Sequence, residues 1–344
     1  VRYVIIGAGA VGGTIGGRLA QSGHDVVLVA RGAHLAALQA DGLRLITAAG
    51  AVTQVVPAVD GPAALGELRT DDVLVLAVKS QNTAAAVDQW AAAPVVGGGT
   101  ARQRIPIVCA QNGVDNERMA LRVFGTVYGM CVWLPATHLE PGVVVSHMAP
   151  LSGILSLGRY PYGTDPVVRQ IGADLSRSVF DAPVEDDVMR WKYGKLLMNL
   201  ANALDALLGE TTSRFADAVT EIRRASHAEG VAALEAAGIA FNTDEERRAL
   251  QGDRMELQDI PGVRRGGGST WQSLVRGADS VEADYLNGEI SLLGRLHGIP
   301  TPVNDLLTRL IADAARAHRA PGDVPPEHLR ALLDVATLAS ASHT

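Results

Sequence analysis

Lysine is nearly missing from this chain of 344 residues: of its 30 basic residues only three, Lys79, Lys192 and Lys195, are lysines. Arginine has taken every other place where charge alone is needed, and arginine cannot release a proton near neutral pH whereas lysine can. The three survivors are therefore the first candidates for proton chemistry. Cysteine is as scarce. Cys109 and Cys131 are too few for a disulfide framework and show no metal-ligand spacing, so both are expected as buried thiols and no metal is expected. No segment approaches the roughly 18–20 consecutive apolar residues of a membrane span. The N-terminus reads as a strand within its first residues, so no signal peptide is expected and the cytoplasm is the default location. An excess of positive charge is also lacking. The formal charge of −7 implies no broad basic surface, which argues against a nucleic-acid partner while leaving room for a local phosphate pocket. Repeats of about 20–50 residues are absent.

What is present is a globular composition, 47% hydrophobic and 19% charged, at a length that suggests two domains. Short apolar runs at Val1–Ile6, Asp25–Ala30, Asp72–Val78 and Ile105–Ala110 alternate with helical stretches near 11–22, 34–40, 82–93 and 115–122. That alternation predicts a parallel sheet wound on both sides. Asp41–Asp60 reads as a hairpin turning at Ala48-Ala49-Gly50. Val127–Trp133, Gly142–Met148 and Gly153–Gly158 read as further strands, added antiparallel. From about Asp187 the pattern is helical, over 187–209, 213–237, 245–251, 279–297 and 302–317. The fold class is thus α/β: a Rossmann-type doubly wound sheet over 1–186, then a mostly α-helical domain over 187–344. The proline-bearing end (Pro321, Pro325, Pro326) and the tail 340–344 are expected to be peripheral.

Gly7-Ala8-Gly9-Ala10-Val11-Gly12 is a GxGxxG motif after a strand and at the start of a helix. In that setting Gly7 permits the turn, Gly9 lets a pyrophosphate approach the backbone, and Gly12 lets helix and strand pack closely. The helix N-terminus offers amide donors and partial positive charge to the phosphates. Cofactor choice is read at the end of the second strand. Enzymes of NAD usually place a carboxylate there, but this chain has Ala30-Arg31-Gly32, and a guanidinium binds a 2′-phosphate through paired hydrogen bonds. NADP(H) is the expected cofactor.

Lys195, Asn199 and Asn202 fall at i, i+4 and i+7 of a predicted helix and so share a face. A lysine suits carbonyl reduction, since an ammonium can stabilise charge developing on oxygen and then deliver a proton. A polar exposed stripe would look the same, and Lys192, on a similar face, is the reserve candidate. Glu282 is expected to begin another long helix, where an acidic residue complements the helix dipole.

At this point the residues resemble a family, the ketopantoate reductases (2-dehydropantoate 2-reductases), along nearly the whole chain. The matching stretches are the glycine loop, Arg31, Ala77-Val78-Lys79, Gln111-Asn112-Gly113, Trp191 through Asn199, Ser269-Thr270, Glu282 through Gly288, and His297 through Pro302. The resemblance implies NADPH-dependent reduction of a small 2-keto acid, ketopantoate, to the 2-hydroxy acid pantoate, on the route to pantothenate. It implies Lys195 as catalytic general acid, and Glu282 as the glutamate that engages the substrate hydroxyl and the lysine. Thr270 would bind substrate in place of the family's serine. Asn112 would lie near nicotinamide and substrate, with Arg31 and Lys79 on the adenosine-phosphate side. Asn199 is the first helix amide. The second usually follows it by four residues, where this chain has Ala203; its amide is at Asn202, about 100° round the helix. Arg264-Arg265-Gly266-Gly267-Gly268 lacks the family's asparagine in that region, and Trp271 replaces a smaller apolar residue. Two other readings compete. A β-hydroxyacid dehydrogenase using NAD(P)+ also places a lysine four residues before an asparagine, and a non-catalytic NADPH sensor would keep the glycine loop and Arg31. The oligomeric state is open, with a homodimer as the assembly to test.

Overall fold

The structure, a computed structural model, describes residues 1–209, 216–263 and 266–323, and beyond these residues 328, 331–335 and 338. Arg264, Arg265, Pro325, Pro326 and the tail 340–344 lie outside the described residues. Two compact units are formed, one of Val1–Lys192 with Thr243–Arg264, the other of Tyr193–Asn242 with Arg265–Thr344. Where the sequence suggests one boundary near 186, the chain instead returns to the first unit for 243–264 before rejoining the second.

The first unit is built on an eight-stranded sheet. Its order from edge to edge is Phe180–Asp181, Gly153–Arg159, Val127–Trp133, Ile107–Cys109, Asp72–Leu76, Arg2–Ile6, Asp25–Val29, Ala58–Val59. The inner strands are continuous Val/Ile/Leu runs, buried almost throughout, as a sheet covered on both faces requires. Arg2–Ile6 sits between Asp25–Val29 and Asp72–Leu76, parallel to both. The strand order reverses there, and ligands of such sheets bind beyond the carboxyl ends at that point.

The three strands expected as antiparallel additions behave differently from one another. Val127–Trp133 is parallel to Ile107–Cys109, because the helix Asn116–Leu121 intervenes and makes the connection a crossover. Gly153–Arg159 is antiparallel to it, as expected. The third, Val143–Ser146, leaves the main sheet for a four-stranded one, parallel to Leu43–Thr47 and antiparallel to Ala136–Thr137. The hairpin Leu43–Thr47 with Gly50–Gln54 forms where expected, in that smaller sheet. The helix Pro166–Ser176 was not foreseen; Asp165 caps it, accepting from Val168 N–H at 2.9 Å, and Pro166 supplies its first turn.

The second unit is helical: Ala201–Leu208, Ala216–Ala236, Ser269–Val275, Asn287–His297 and Pro302–Arg316 close around Leu204, Leu207, Ile222, Leu307 and Ile311. Helix Pro302–Arg316 has Val303 and Asn304 buried in its first turn, where their amides would be orphaned. Buried Glu229 accepts from Val303 N–H at 2.9 Å and Asn304 N–H at 3.0 Å and satisfies them. Two helix expectations change. The stretch 187–209 breaks at Leu200 into Val188–Asn199 and Ala201–Leu208, and Asn287 Nδ2 donates to the Leu200 carbonyl at 3.0 Å. The stretch 279–297 opens with a separate 3-10 turn, Glu282–Tyr285, before the helix Asn287–His297, so Glu282 precedes that helix and does not begin it.

Candidate functional site

The glycine loop in the first unit takes the form its residues demand. Gly7 lies at φ +101°, a backbone that side chains rarely adopt, and a β-carbon on Gly12 would stand 2.1 Å from the Gly7 carbonyl. Gly9 precedes the helix Ala10–Gln21, and its β-carbon position is open but for a His138 ring carbon at 4.0 Å. Beside the loop is a cavity of about 330 Å³ lined by Gly7, Ala8, Gly9, Arg31, Gln89 and His138 among others. Its floor is apolar, from Ile6, Val29, Val78 and Trp90, and no carboxylate among the described residues lines it. Exposed Arg31 holds its guanidinium at the wall through Gln89, Nη2 donating to Oε1 at 3.0 Å. An open glycine edge, a helix N-terminus, an apolar slot and a held cation fit the adenosine and phosphates of a dinucleotide.

Lys79 is half-buried at the position before the 3-10 turn Ser80–Asn82; it does not line this cavity, although Val78 and Asn82 do. Asn112 follows the strand Ile107–Cys109. Its carbonyl accepts from Asn116 Nδ2 at 2.8 Å and Ser80 Oγ at 3.3 Å, which ties together two strand-end loops. Gln111 Nε2 reinforces the tie, donating to Val78 O and Thr83 Oγ1 at 2.8 Å each.

Lys192 is not available for chemistry. It is buried in the first unit and paired with Glu117 at 2.5 Å, and it also donates to the carbonyls of Gln111 at 3.0 Å and Met130 at 3.4 Å. Cys109, one of the two free thiols, is buried nearby, and burial pushes its pKa well up. Both cysteines are inert core residues.

The remaining candidates, Lys195, Asn199, Asn202, Thr270 and Glu282, all belong to the second unit. Lys195 and Asn199 are half-buried on Val188–Asn199, whose Leu196 and Leu197 are buried while Met198 is exposed. Asn199 Oδ1 is buried without a hydrogen-bond partner among the described residues. Asn202 lies beyond the break at Leu200, so the expected stripe is not one continuous helix face. Its Oδ1 is near Gly268, where a β-carbon would stand 3.4 Å away. Ala203 beside it is packed in the helical core, so an amide at 203 would be buried there. Thr270 is 3% exposed in the first turn of Ser269–Val275, next to Ser269, whose buried Oγ also lacks a described partner. Glu282 is buried. Trp271 lies across Gly266 and Gly267, and β-carbons there would meet the indole side chain at 2.6 and 2.5 Å.

Sequence reasoning missed His34, Gln89 and His138. No local signal marks them, since they come together only where the first helix turn after Arg31, the helix Thr83–Ala91 and the segment before Val143–Ser146 meet at the glycine loop.

A mostly parallel sheet with a glycine turn at the strand-order reversal defines the first unit as a Rossmann-type dinucleotide-binding domain. Comparison with known proteins specifies the family. The family model "Ketopantoate reductase PanE/ApbA" matches residues 3–162, and its C-terminal companion matches residues 187–315. The 2-dehydropantoate 2-reductase of Mesorhizobium japonicum is 30% identical over 336 residues, covering 90% of this chain and 97% of that protein. The crystal structure of a PanE/ApbA family ketopantoate reductase from Ralstonia eutropha JMP134 is 29% identical, covers 92% of this chain and 99% of its own, and superposes with a TM-score of 0.73. A D-mandelate dehydrogenase solved with NADH and anilino(oxo)acetate shares the fold, at 21% identity and a TM-score of 0.73 over 98% of this chain and 100% of its own. The chain belongs to the ketopantoate reductase family. No helix among the described residues is long and apolar enough to cross a membrane.

Proposed function

We propose that the protein reduces a 2-keto acid to the 2-hydroxy acid with NADPH, the substrate being 2-dehydropantoate or a close analogue. The observation that carries the reading is the family match across both domains, joined to a glycine-loop cavity whose wall holds Arg31 and no carboxylate. The D-mandelate dehydrogenase neighbour was solved with NADH, but a cation at the end of the second strand favours a 2′-phosphate. Gly7 through Gly12 would hold the pyrophosphate, Arg31 the adenosine-phosphate end, and Asn112 the nicotinamide end; Lys79, next in the chain to the lining residue Val78 but not itself in the lining, is kept on the adenosine-phosphate side by the family resemblance alone. When bound, the dinucleotide supplies the hydride.

Lys195 then acts on the ketone oxygen. Its ammonium stabilises the negative charge that develops there and delivers the proton that completes the hydroxyl. Glu282 orients the lysine and the substrate hydroxyl. Thr270, Asn199 and Asn202 hold substrate oxygens, and the buried, unpartnered Asn199 Oδ1 supports that role, since a buried polar atom calls for a partner. The test is NADPH oxidation with 2-dehydropantoate beside a panel of 2-keto acids and an NADH control. Efficient turnover of 2-dehydropantoate upholds the full reading. Turnover of another keto acid alone keeps the reaction and moves the specificity to Ala203 and Trp271. Tight NADPH binding without turnover of any would favour the sensor.

A further inference from the structure

Both ring nitrogens of His34 are taken by main-chain groups of fixed polarity. Gly142 N–H donates to Nδ1 at 2.9 Å, and Nε2 lies 2.8 Å from the Ala8 carbonyl. An amide only donates and a carbonyl only accepts, so the ring is the neutral Nε2–H tautomer. A cationic ring would have to give up Gly142. Half-burial acts in the same direction, lowering the His34 pKa against the opposing pull of the Ala8 carbonyl. His138 packs on the ring at 4.2 Å between centroids, its own Nδ1 donating to Val143 O at 2.9 Å. His34 thereby joins the helix Gly32–Asp41, the glycine loop and the turn at Gly142, and together with Ala8 and His138 it lines the cavity read above as the dinucleotide site.

Resting on that reading, we infer that His34 is the positioning residue of the phosphate-binding loop, holding the Ala8 carbonyl away from the pyrophosphate so that the loop presents amide donors to it. The carbonyl and N–H of one peptide plane point in opposite directions. While Ala8 O is bound to His34, the Gly9 N–H is directed away from the ring. Without that bond the Ala8–Gly9 peptide, flanked by a glycine, is free to rotate and turn a partial negative charge toward the anion. Such a loop repels where it should bind.

The experiment titrates wild type, His34→Leu, His34→Gln and Arg31→Asp with NADPH and with NADH, following nicotinamide fluorescence, beside thermal unfolding without nucleotide. His34→Leu should weaken both nucleotides by the same factor, about tenfold, the worth of one hydrogen bond near a charged group. Gln carries both a donor and an acceptor and should recover most of the affinity. Arg31→Asp should weaken NADPH alone. A change in fold stability only would move the melting temperature and leave the dissociation constants of the folded protein in place. Should His34→Leu fail to fold, His34→Ala takes its place in the comparison. Wild-type binding with an unaffected Leu variant overturns the inference, as does a loss confined to NADPH or a Gln variant no better than Leu. If wild type binds neither nucleotide, the dinucleotide reading itself falls and takes this inference with it.

Discussion

The side chain of Trp271 rests on the main chain of Gly267, so closely that a β-carbon there would stand 2.5 Å from it. Two separate departures from the family pattern, the Gly266-Gly267-Gly268 run and the tryptophan, are thus one packing arrangement. The glycines make room for the indole, and the next residue, Gly268, lies beside Asn202. Gly267→Ala should destabilise the protein by about 1–3 kcal/mol through overpacking, read by chemical denaturation. Trp271→Leu should alter relative kcat/KM across a panel of 2-keto acids and leave NADPH affinity unchanged. An unchanged panel profile would remove Trp271 from substrate selection.

Lys195→Ala should lower kcat about 10²-fold or more, the usual scale for loss of a general acid, with the NADPH dissociation constant intact. Lys195→Arg keeps the charge but holds its proton at neutral pH, so it should recover little of the rate. Steady-state kinetics beside a binding titration decides, and near-normal turnover by either variant rejects the assignment.

Arg31→Asp should weaken NADPH about 10- to 100-fold, the loss of charge-assisted hydrogen bonds to a phosphate, and leave NADH nearly unaffected. Equal losses for the two nucleotides would show that Arg31 does not meet the 2′-phosphate.

Lys192→Met strands Glu117 in the interior as an unpaired carboxylate, and burial already pushes that carboxyl's pKa up despite the lysine. The variant should lose about 3–5 kcal/mol, while the double variant Lys192→Met/Glu117→Gln should regain much of it. Denaturant midpoints measure both. A single variant as stable as wild type would contradict the buried pairing.

Burial lowers the His34 pKa below its ordinary 6.5, so the folded protein resists a proton that the unfolded chain accepts. The unfolded state therefore binds more protons just below that value, and stability rises with pH there. His34's contribution is whole above the unfolded pKa and is lost as pH falls toward the folded one. Thermal unfolding from neutrality down to about pH 5 should show a steeper decline for wild type than for His34→Gln, and parallel curves would count against it.

The Rossmann half was legible because its information is local. Apolar runs bounded by turns mark buried strands, and Gly7, Gly9 and Gly12 answer steric demands within one turn. Helix boundaries in the second half were less so. The break at Leu200 coincides with a bond from Asn287, and the 3-10 turn at Glu282 interrupts a pattern that reads as continuous helix. Spacing favoured Lys195 but could only hold Lys192 in reserve, since only the fold shows that Lys192 already has Glu117. His34, Gln89 and His138 were illegible for a related reason: each belongs to a different element, and nothing in a periodicity announces which distant loops will converge. Even the visible signal Asp165-Pro166 passed unread, because its cap is recognised only once a helix is expected after it.

The strand Met255–Leu257 pairs antiparallel with Met148–Pro150, within the first unit. Translation reaches residue 257 long after the sheet strands have emerged, and in between it delivers Tyr193–Asn242, which belongs elsewhere. A nascent chain paused at 192 therefore holds a dinucleotide-binding unit with one strand still unpaired. Newly made protein must keep that open edge from other chains until the ribosome has moved well into the second half.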